Sequence, residues 1–272
     1  MANQKQGSKQ TRYEQILEAI FFSHYTEGAT EFEFRRQEIE AQARELGIKL
    51  PKNIGDLVYT FRFRAPLPEK IRQTAPGGRE WIIALAGRGR YRFSLAEVAR
   101  IEPTSMLVET KVPDATPGVI SMYALTDEQA LLAVLRYNRL IDIFTHVTCY
   151  SLQNHLRTTV RRIGQIETDE IYVGVDRNGV HYVFPVQAKG GKDTMSIVQI
   201  QQDIEMCADK FPSLVCRAIG AQFMADRAIA LFEFGESEGA IKIVAEKHYR
   251  LVPPDQLSAD DLARYRTAID RE

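Results

Sequence analysis

Two apolar runs, Ile171 to Val175 and Val180 to Val186, flank the dipeptide Asn178-Gly179 within ETDEIYVGVDRNGVHYVFPVQAKGGK, residues 167–192. Asn-Gly adopts the positive φ angles of a tight antiparallel turn, so this stretch folds as a β-hairpin, and its register decides which residues face each other. With Asn178 and Gly179 as a two-residue loop, Arg177 pairs with Val180 and Glu170 falls opposite Gln187. With a three-residue loop closed by a bulge at Gly179, Asp176 pairs with Val180 and Asp169 falls opposite Gln187. The dipeptide favours the two-residue loop, which ranks Glu170 first and keeps Asp169 as the alternative. In either register Lys189 shares the face of Gln187 and Ala188 points away. A carboxylate, an amide oxygen and an ammonium are thereby gathered at one strand end.

The rest of the chain supplies the setting. Tyr13, Ile16, Leu17, Ile20 and Phe21 recur at helical spacing, and a second helix runs from about Arg36 to Leu46 with Gly47 to end it. A third begins at Asn53, a capping residue, buries Ile54, Leu57, Val58 and Phe61, and leaves Lys52, Tyr59, Thr60 and Arg62 outward. Glu80 to Ala86, the turn Gly87-Arg88-Gly89 and Arg90 to Leu95 form a second hairpin. Pro103, Pro113 and Pro117 interrupt residues 103–118, which predicts a linker between one domain at 11–102 and another at 119–272. In the second domain, a helix starts at Thr126, another over Ser151 to Ile163 presents Asn154 and Arg157, and Ser196 caps one carrying Ile197, Ile200, Ile204 and Cys207. Strands are expected over Ser213 to Met224, Ala228 to Glu233 and Ala240 to Val244. The fold class is α/β (α+β), with a mixed sheet.

Composition narrows the function class. A net charge of -1 excludes a uniformly basic nucleic-acid binder, so DNA affinity must come from local clustering. Such a cluster exists between Phe61 and Tyr91, where seven Lys and Arg residues meet two Glu. No apolar run is long enough to span a membrane, and the polar start MANQKQGSKQ lacks the core of a secretory signal. A cytoplasmic protein without membrane contact is expected. Three cysteines without a CxxC pattern and five histidines without HExxH argue against a disulfide framework and a zinc site. Walker, dinucleotide and nucleophile-elbow glycine motifs are absent.

Three helices followed by a hairpin with an arginine-rich tip resemble a winged helix-turn-helix domain over residues 11–102. That resemblance implies Asn53, Tyr59 and Arg62 at the DNA major groove, with Arg88 and Arg90 on its backbone or minor groove. The acidic cluster and the Gln187-Ala188-Lys189 triplet resemble the PD-(D/E)XK nuclease superfamily, in which an acid begins one strand and a (D/E)xK triplet ends its neighbour. Two features depart from the pattern: no proline precedes Asp169, and Gln187 replaces the second acid. A neutral amide offers magnesium a hard oxygen without charge, so Glu167 or the second of the Asp169/Glu170 pair must compensate. The resemblance implies Mg²⁺ held by Glu170, Asp169, Gln187, Glu167 and the Ala188 carbonyl, with Lys189 as the catalytic lysine. Gly190 and Gly191 would let DNA approach the backbone, and Lys192, Asn154 and Arg157 would contact it. The whole then resembles a bacterial type II restriction endonuclease that cuts double-stranded DNA at a short specific site as a homodimer. The alternatives are a structure-directed repair, defence or transposition nuclease, and a winged-helix transcription regulator with a non-catalytic C-terminal domain.

Overall fold

The computed structural model describes residues 10–97, 100–123, 127–190, 193–224, 226–237 and 240–268. They form two compact units, Met1–Ala99 with Arg161–Gly164, and Arg100–Val160 with Gln165–Glu272.

The first unit begins with α1 (Arg12–His24), whose start is fixed by a capping box between Thr11 and Glu14. Then follow β1 (Glu31–Arg35), α2 (Arg36–Glu45), α3 (Gly55–Tyr59, continued by a π-helical turn over Thr60–Arg64) and α4 (Glu69–Arg72). The hairpin strands β2 (Glu80–Leu85) and β3 (Arg90–Ala96) complete an antiparallel sheet of order β1-β3-β2. Ile16, Leu17, Ile20 and Phe21 of α1 pack on Leu57, Val58, Trp81 and Phe93, so the helical stripe in the sequence is the core-facing stripe. β1 was not anticipated. Its five residues, EFEFR, contain only two apolar alternations before the helix begins, too few for a period-2 pattern to stand out.

The second unit carries β4 (Arg100–Ile101), β5 (Glu109–Pro113), α5 (Gly118–Tyr123), α6 (Glu128–Tyr137), α7 (Leu140–Thr145), β6 (Thr148–Val160), β7 (Gly164–Val175) and β8 (His181–Lys189). Next come β9 (Met195–Ser196), α8 (Ile197–Lys210), β10 (Val215–Cys216), β11 (Ala218–Phe223), β12 (Ile229–Ser237), β13 (Ala240–Val252) and α9 (Ala259–Ala268). An eight-stranded mixed sheet runs in the order β5-β13-β12-β11-β8-β7-β6, with β10 beside β8. β8 pairs antiparallel with β7 and parallel with β11, and α8 makes the crossover that a parallel neighbour requires. α6 and α7 bury Leu131, Leu132, Leu135, Leu140 and Ile141 against Tyr172, Phe184, Val186 and Ala188. The resulting molecule is mixed α/β, a large mixed sheet flanked by helices.

Three expectations need correction. Residues 151–163 do not form a helix: they lie mostly in β6, where Thr148, Thr158, Thr159 and Val160 supply β-branched residues and Leu152 and Leu156 only imitate helical spacing. The stretch 103–118 is more than a linker, since it contains β5, which pairs in parallel with β13 from Glu109↔His248 to Pro113↔Val252. Arg250 of β13 holds Glu109 with its guanidinium, Nη2 to Oε1 at 2.8 Å. The helix start at Thr126 lies outside the described residues, and Asp127 caps α6 through a 2.9 Å bond from the Ala130 N–H.

The third correction is the hairpin register. The ladder runs from Val175↔His181 to Glu170↔Val186, so one step further Asp169 stands opposite Gln187. The loop has three residues. The Asp176 N–H donates to the Val180 carbonyl at 3.1 Å, and Gly179 occupies the left-handed region at φ 80. Asp176 explains the choice: its Oδ1 accepts the N–H groups of Asn178 at 2.8 Å and Val180 at 2.9 Å, clamping a loop that a bare Asn-Gly turn would shorten.

Candidate metal centre

Because of that register, the acids of the hairpin separate onto two faces. Asp169 sits beside the end of β8, its Oδ2 accepting the Ala188 N–H at 2.8 Å. Burial raises its pKa, the charges of Glu128 and Glu167 add to the rise, and the Ala188 bond and Lys189 oppose it. Glu170 takes the other face and is fully buried. Its Oε1 accepts from the Ser151 hydroxyl and lies 3.5 Å from Arg136 Nε. The Asn154 amide, turned so that its nitrogen faces the carboxylate, donates to the same oxygen at 3.0 Å. Glu170 thus ties β6 and α6 to β7 and stands away from Gln187, so the order in which the two acids were ranked is reversed.

Gln187 is 1% exposed, and both ends of its amide are hydrogen-bonded. Nε2 donates to Asp203 Oδ2 at 2.9 Å and to the Glu167 carbonyl at 3.4 Å, while Oε1 accepts from Gln199 Nε2 at 3.0 Å. Asp203, on α8, is the acid that sequence reasoning missed. It is fully buried, and its Oδ1 accepts from the Thr168 hydroxyl at 2.6 Å. Burial pushes its pKa up to about 7; the charge of Asp169 adds to the rise, and Thr168, Gln187 and Lys189 counter it. The side chain at Gln187 therefore offers an amide where a carboxylate was expected, and α8 brings a carboxylate to that amide. Glu128, in the first turn of α6, is a further acid near enough to act on Asp169.

Lys189 follows at the end of β8, paired in register with Gln222 of β11. Gln222 donates to the Asp193 carbonyl at 3.2 Å, while its Oε1 is buried without a partner. Next to Gln187 in the same ladder is Gly220, where an added Cβ would lie 2.7 Å from the Met195 sulfur. A side chain there would displace the end of Met195, which packs over the sheet from β9.

The donor chemistry fits a divalent cation. Asp169 and Asp203 are two carboxylates in a desolvated place, each raised above its ordinary pKa chiefly by burial and further by neighbouring carboxylates, and the Ala188 carbonyl belongs to the same strand end. One or two carboxylates, with water and substrate phosphate completing the sphere, are the usual protein share of a magnesium site. Among the described residues no group of three or more His, Cys, Asp and Glu stands in a metal-holding arrangement. Glu167 is otherwise engaged: it meets Arg157 Nε at 2.9 Å and His155 Nε2 at 3.0 Å.

The residues expected to touch DNA are spread over both units. In the first, Asn53 Oδ1 accepts the Gly55 N–H at 3.2 Å, and Tyr59 is 44% exposed beneath Arg64, whose guanidinium lies 4.9 Å from the ring. Arg62 is turned inward over Phe63 at 4.5 Å, its Nε and Nη2 buried without partners and its pKa lowered to about 10 by burial. Arg88 and Arg90 are exposed and line one open cleft with Arg35, Arg36, Gln37, Glu40 and Gly89. In the second unit, Asn154 and Arg157 are exposed on β6, and Lys192 lies outside the described residues. No protein-family model matches the chain, and neither a curated protein nor a solved structure matches it.

Proposed function

We propose that the chain is a Mg²⁺-dependent endonuclease that hydrolyses phosphodiester bonds of double-stranded DNA at a short specific site, as a type II restriction endonuclease does. The observation that carries this reading is the convergence of Asp169 from β7, Ala188 and Lys189 from β8, and Asp203 from α8 on one strand end. Asp169, Asp203 and the Ala188 carbonyl would hold the ion. When bound, it neutralises charge on the scissile phosphate and acidifies a water.

The remaining roles fall to the chain itself. Lys189, a cation at the lip of a buried acidic site, orients the attacking water and meets the negative charge that develops on the phosphate. Gln187 acts as the brace of Asp203, since both its amide N–H groups and one acceptor site of its oxygen are directed to α8 and to the backbone of β7. Substituting glutamine for the second acid of the (D/E)xK pattern then leaves the negative charge in place, delivered from the helix. Mg²⁺, with its preference for carboxylate oxygens, suits such a pair.

Support for a DNA-reading part comes from the first unit. Its order α1-β1-α2-α3-α4-β2-β3, with sheet order β1-β3-β2, resembles a winged helix-turn-helix with an additional short helix before the hairpin, and Arg88 and Arg90 would then lie at the tip of the wing. The same observation favours a second reading, a transcription regulator that binds DNA without cutting it. Supercoiled plasmid incubated with the purified chain and Mg²⁺ distinguishes the two. The nuclease yields discrete fragments, abolished by a chelator. Smearing indicates a nuclease without a fixed site, and retarded but uncut plasmid overturns the nuclease reading in favour of the regulator.

A further inference from the structure

Cys207 and Cys216 take no part in the proposed chemistry, yet the fold brings their thiols together. Cys207 lies on the buried stripe of α8, one turn after Asp203, and is 1% exposed. Cys216 sits on β10, beside β8, and is only half-buried. α8 packs against β10, and the Cys207 thiol is held well above its ordinary pKa, first by its hydrogen-bonding contact with the Cys216 thiol and then by burial.

Both backbones are pinned in this arrangement. The Cys207 carbonyl accepts the Phe211 N–H at 2.8 Å where α8 ends, and the Leu214 N–H returns to the Phe211 carbonyl at 3.0 Å. Cys216 is in register with Val183, and Arg217 next to it donates its N–H to the Val183 carbonyl at 3.0 Å. A disulfide cannot form between side chains that point apart, and these two point at each other. A packed core thiol accounts for Cys207 alone; a second thiol touching it and reaching the surface gives an oxidant its way in. Zinc is a poor occupant, because it takes four ligands and, among the described residues, no group of three or more His, Cys, Asp and Glu is arranged for a metal. Cys149 is engaged elsewhere, its Sγ donating to the Val147 carbonyl at 3.3 Å.

We infer that Cys207 and Cys216 form a reversible dithiol–disulfide pair, oxidised by small disulfides of the glutathione class, which ties the end of α8 to β10. The Cys216 thiol loses its proton to solvent and attacks one sulfur of glutathione disulfide. That S–S bond breaks, one glutathione leaves as thiolate, and a mixed disulfide remains on Cys216. Cys207, deprotonated in turn, attacks the Cys216 sulfur and releases the second glutathione. Two electrons pass from the protein thiols to the small disulfide, which becomes two glutathione thiols. Burial makes Cys207 a slow nucleophile toward solutes, but the sulfur it must attack is already in contact with it. The pair owes nothing to the nuclease reading.

The test treats the full chain with excess glutathione disulfide, alkylates the remaining thiols and maps the peptides by mass spectrometry, with circular dichroism to establish folding. Wild type keeps one alkylatable thiol, Cys149, of its three and yields a peptide cross-linked between Cys207 and Cys216, which dithiothreitol reverses. Cys207→Ser stops at the glutathione adduct on Cys216. In Cys216→Ser, Cys207 reacts at least about tenfold more slowly than Cys216 does in wild type. Three alkylatable thiols in wild type, a glutathione adduct that goes no further, a bond to Cys149 or a cross-link formed only in denaturant overturns the pairing.

Discussion

Asp203 and Glu170 are both fully buried acids, yet their surroundings give them opposite expected fates on mutation. Asp203→Asn keeps the shape but removes charge from the proposed metal site, so on the nuclease reading cleavage should fall by at least about a hundredfold while the fold persists. Glu170→Gln leaves that site intact and weakens the contacts with Ser151 and Arg136. It costs stability, on the order of 1–3 kcal/mol, with cleavage per folded molecule retained. Cleavage assays paired with thermal melts separate the two effects. Charge at Asp203 also predicts a pH dependence. Its folded-state pKa, about 7, lies above the ordinary aspartate value, so the folded chain holds the proton more tightly than the unfolded one. Protonation therefore favours folding: without metal, this contribution is fully present below the unfolded pKa and is lost as pH rises toward about 7. Asp169, raised in the same direction, acts with the same sign. Melting curves without metal should show a loss in wild type on the order of a few kcal/mol across that window. The loss should be blunted in Asp203→Asn and partly reversed by Mg²⁺ at neutral pH. A wild type whose dependence matches that of Asp203→Asn contradicts the assignment.

At the level of elements, the hairpin is where the sequence says most and where it misleads once. Asn178-Gly179 and the apolar runs made β7 and β8 legible, as helical spacing did for α1, α2 and α8. The register was not legible from the dipeptide alone, because it depends on the carboxylate of Asp176 taking two backbone N–H groups of the loop. Removing that clamp with Asp176→Ala destabilises the hairpin. Gly179→Ala, at φ 80, costs roughly 1 kcal/mol, read by chemical denaturation. Asp203 left a signal that was available. It falls three residues after Ile200 and four before Cys207, on the buried stripe of α8, and a charged residue on such a stripe requires partners. Ile204, placed on that stripe by spacing, is only half-buried. β6 was hidden for the opposite reason: a strand with an exposed outer edge has weak apolar alternation, and two leucines four apart suggest a helix.

For the whole molecule, the proposed divalent-cation site for phosphodiester hydrolysis draws on β7, β8 and α8, and substitution of Lys189 is the change that would separate chemistry from binding. Lys189 ends β8, and among the described residues no side-chain hydrogen bond ties it to the core, so its truncation should leave fold and DNA contacts in place. The decisive measurement is cleavage of plasmid by Lys189→Ala with Mg²⁺, read beside a mobility shift on the same DNA. Cleavage is expected to fall by at least about a thousandfold with binding unchanged. Cleavage at the wild-type rate by Lys189→Ala would contradict it.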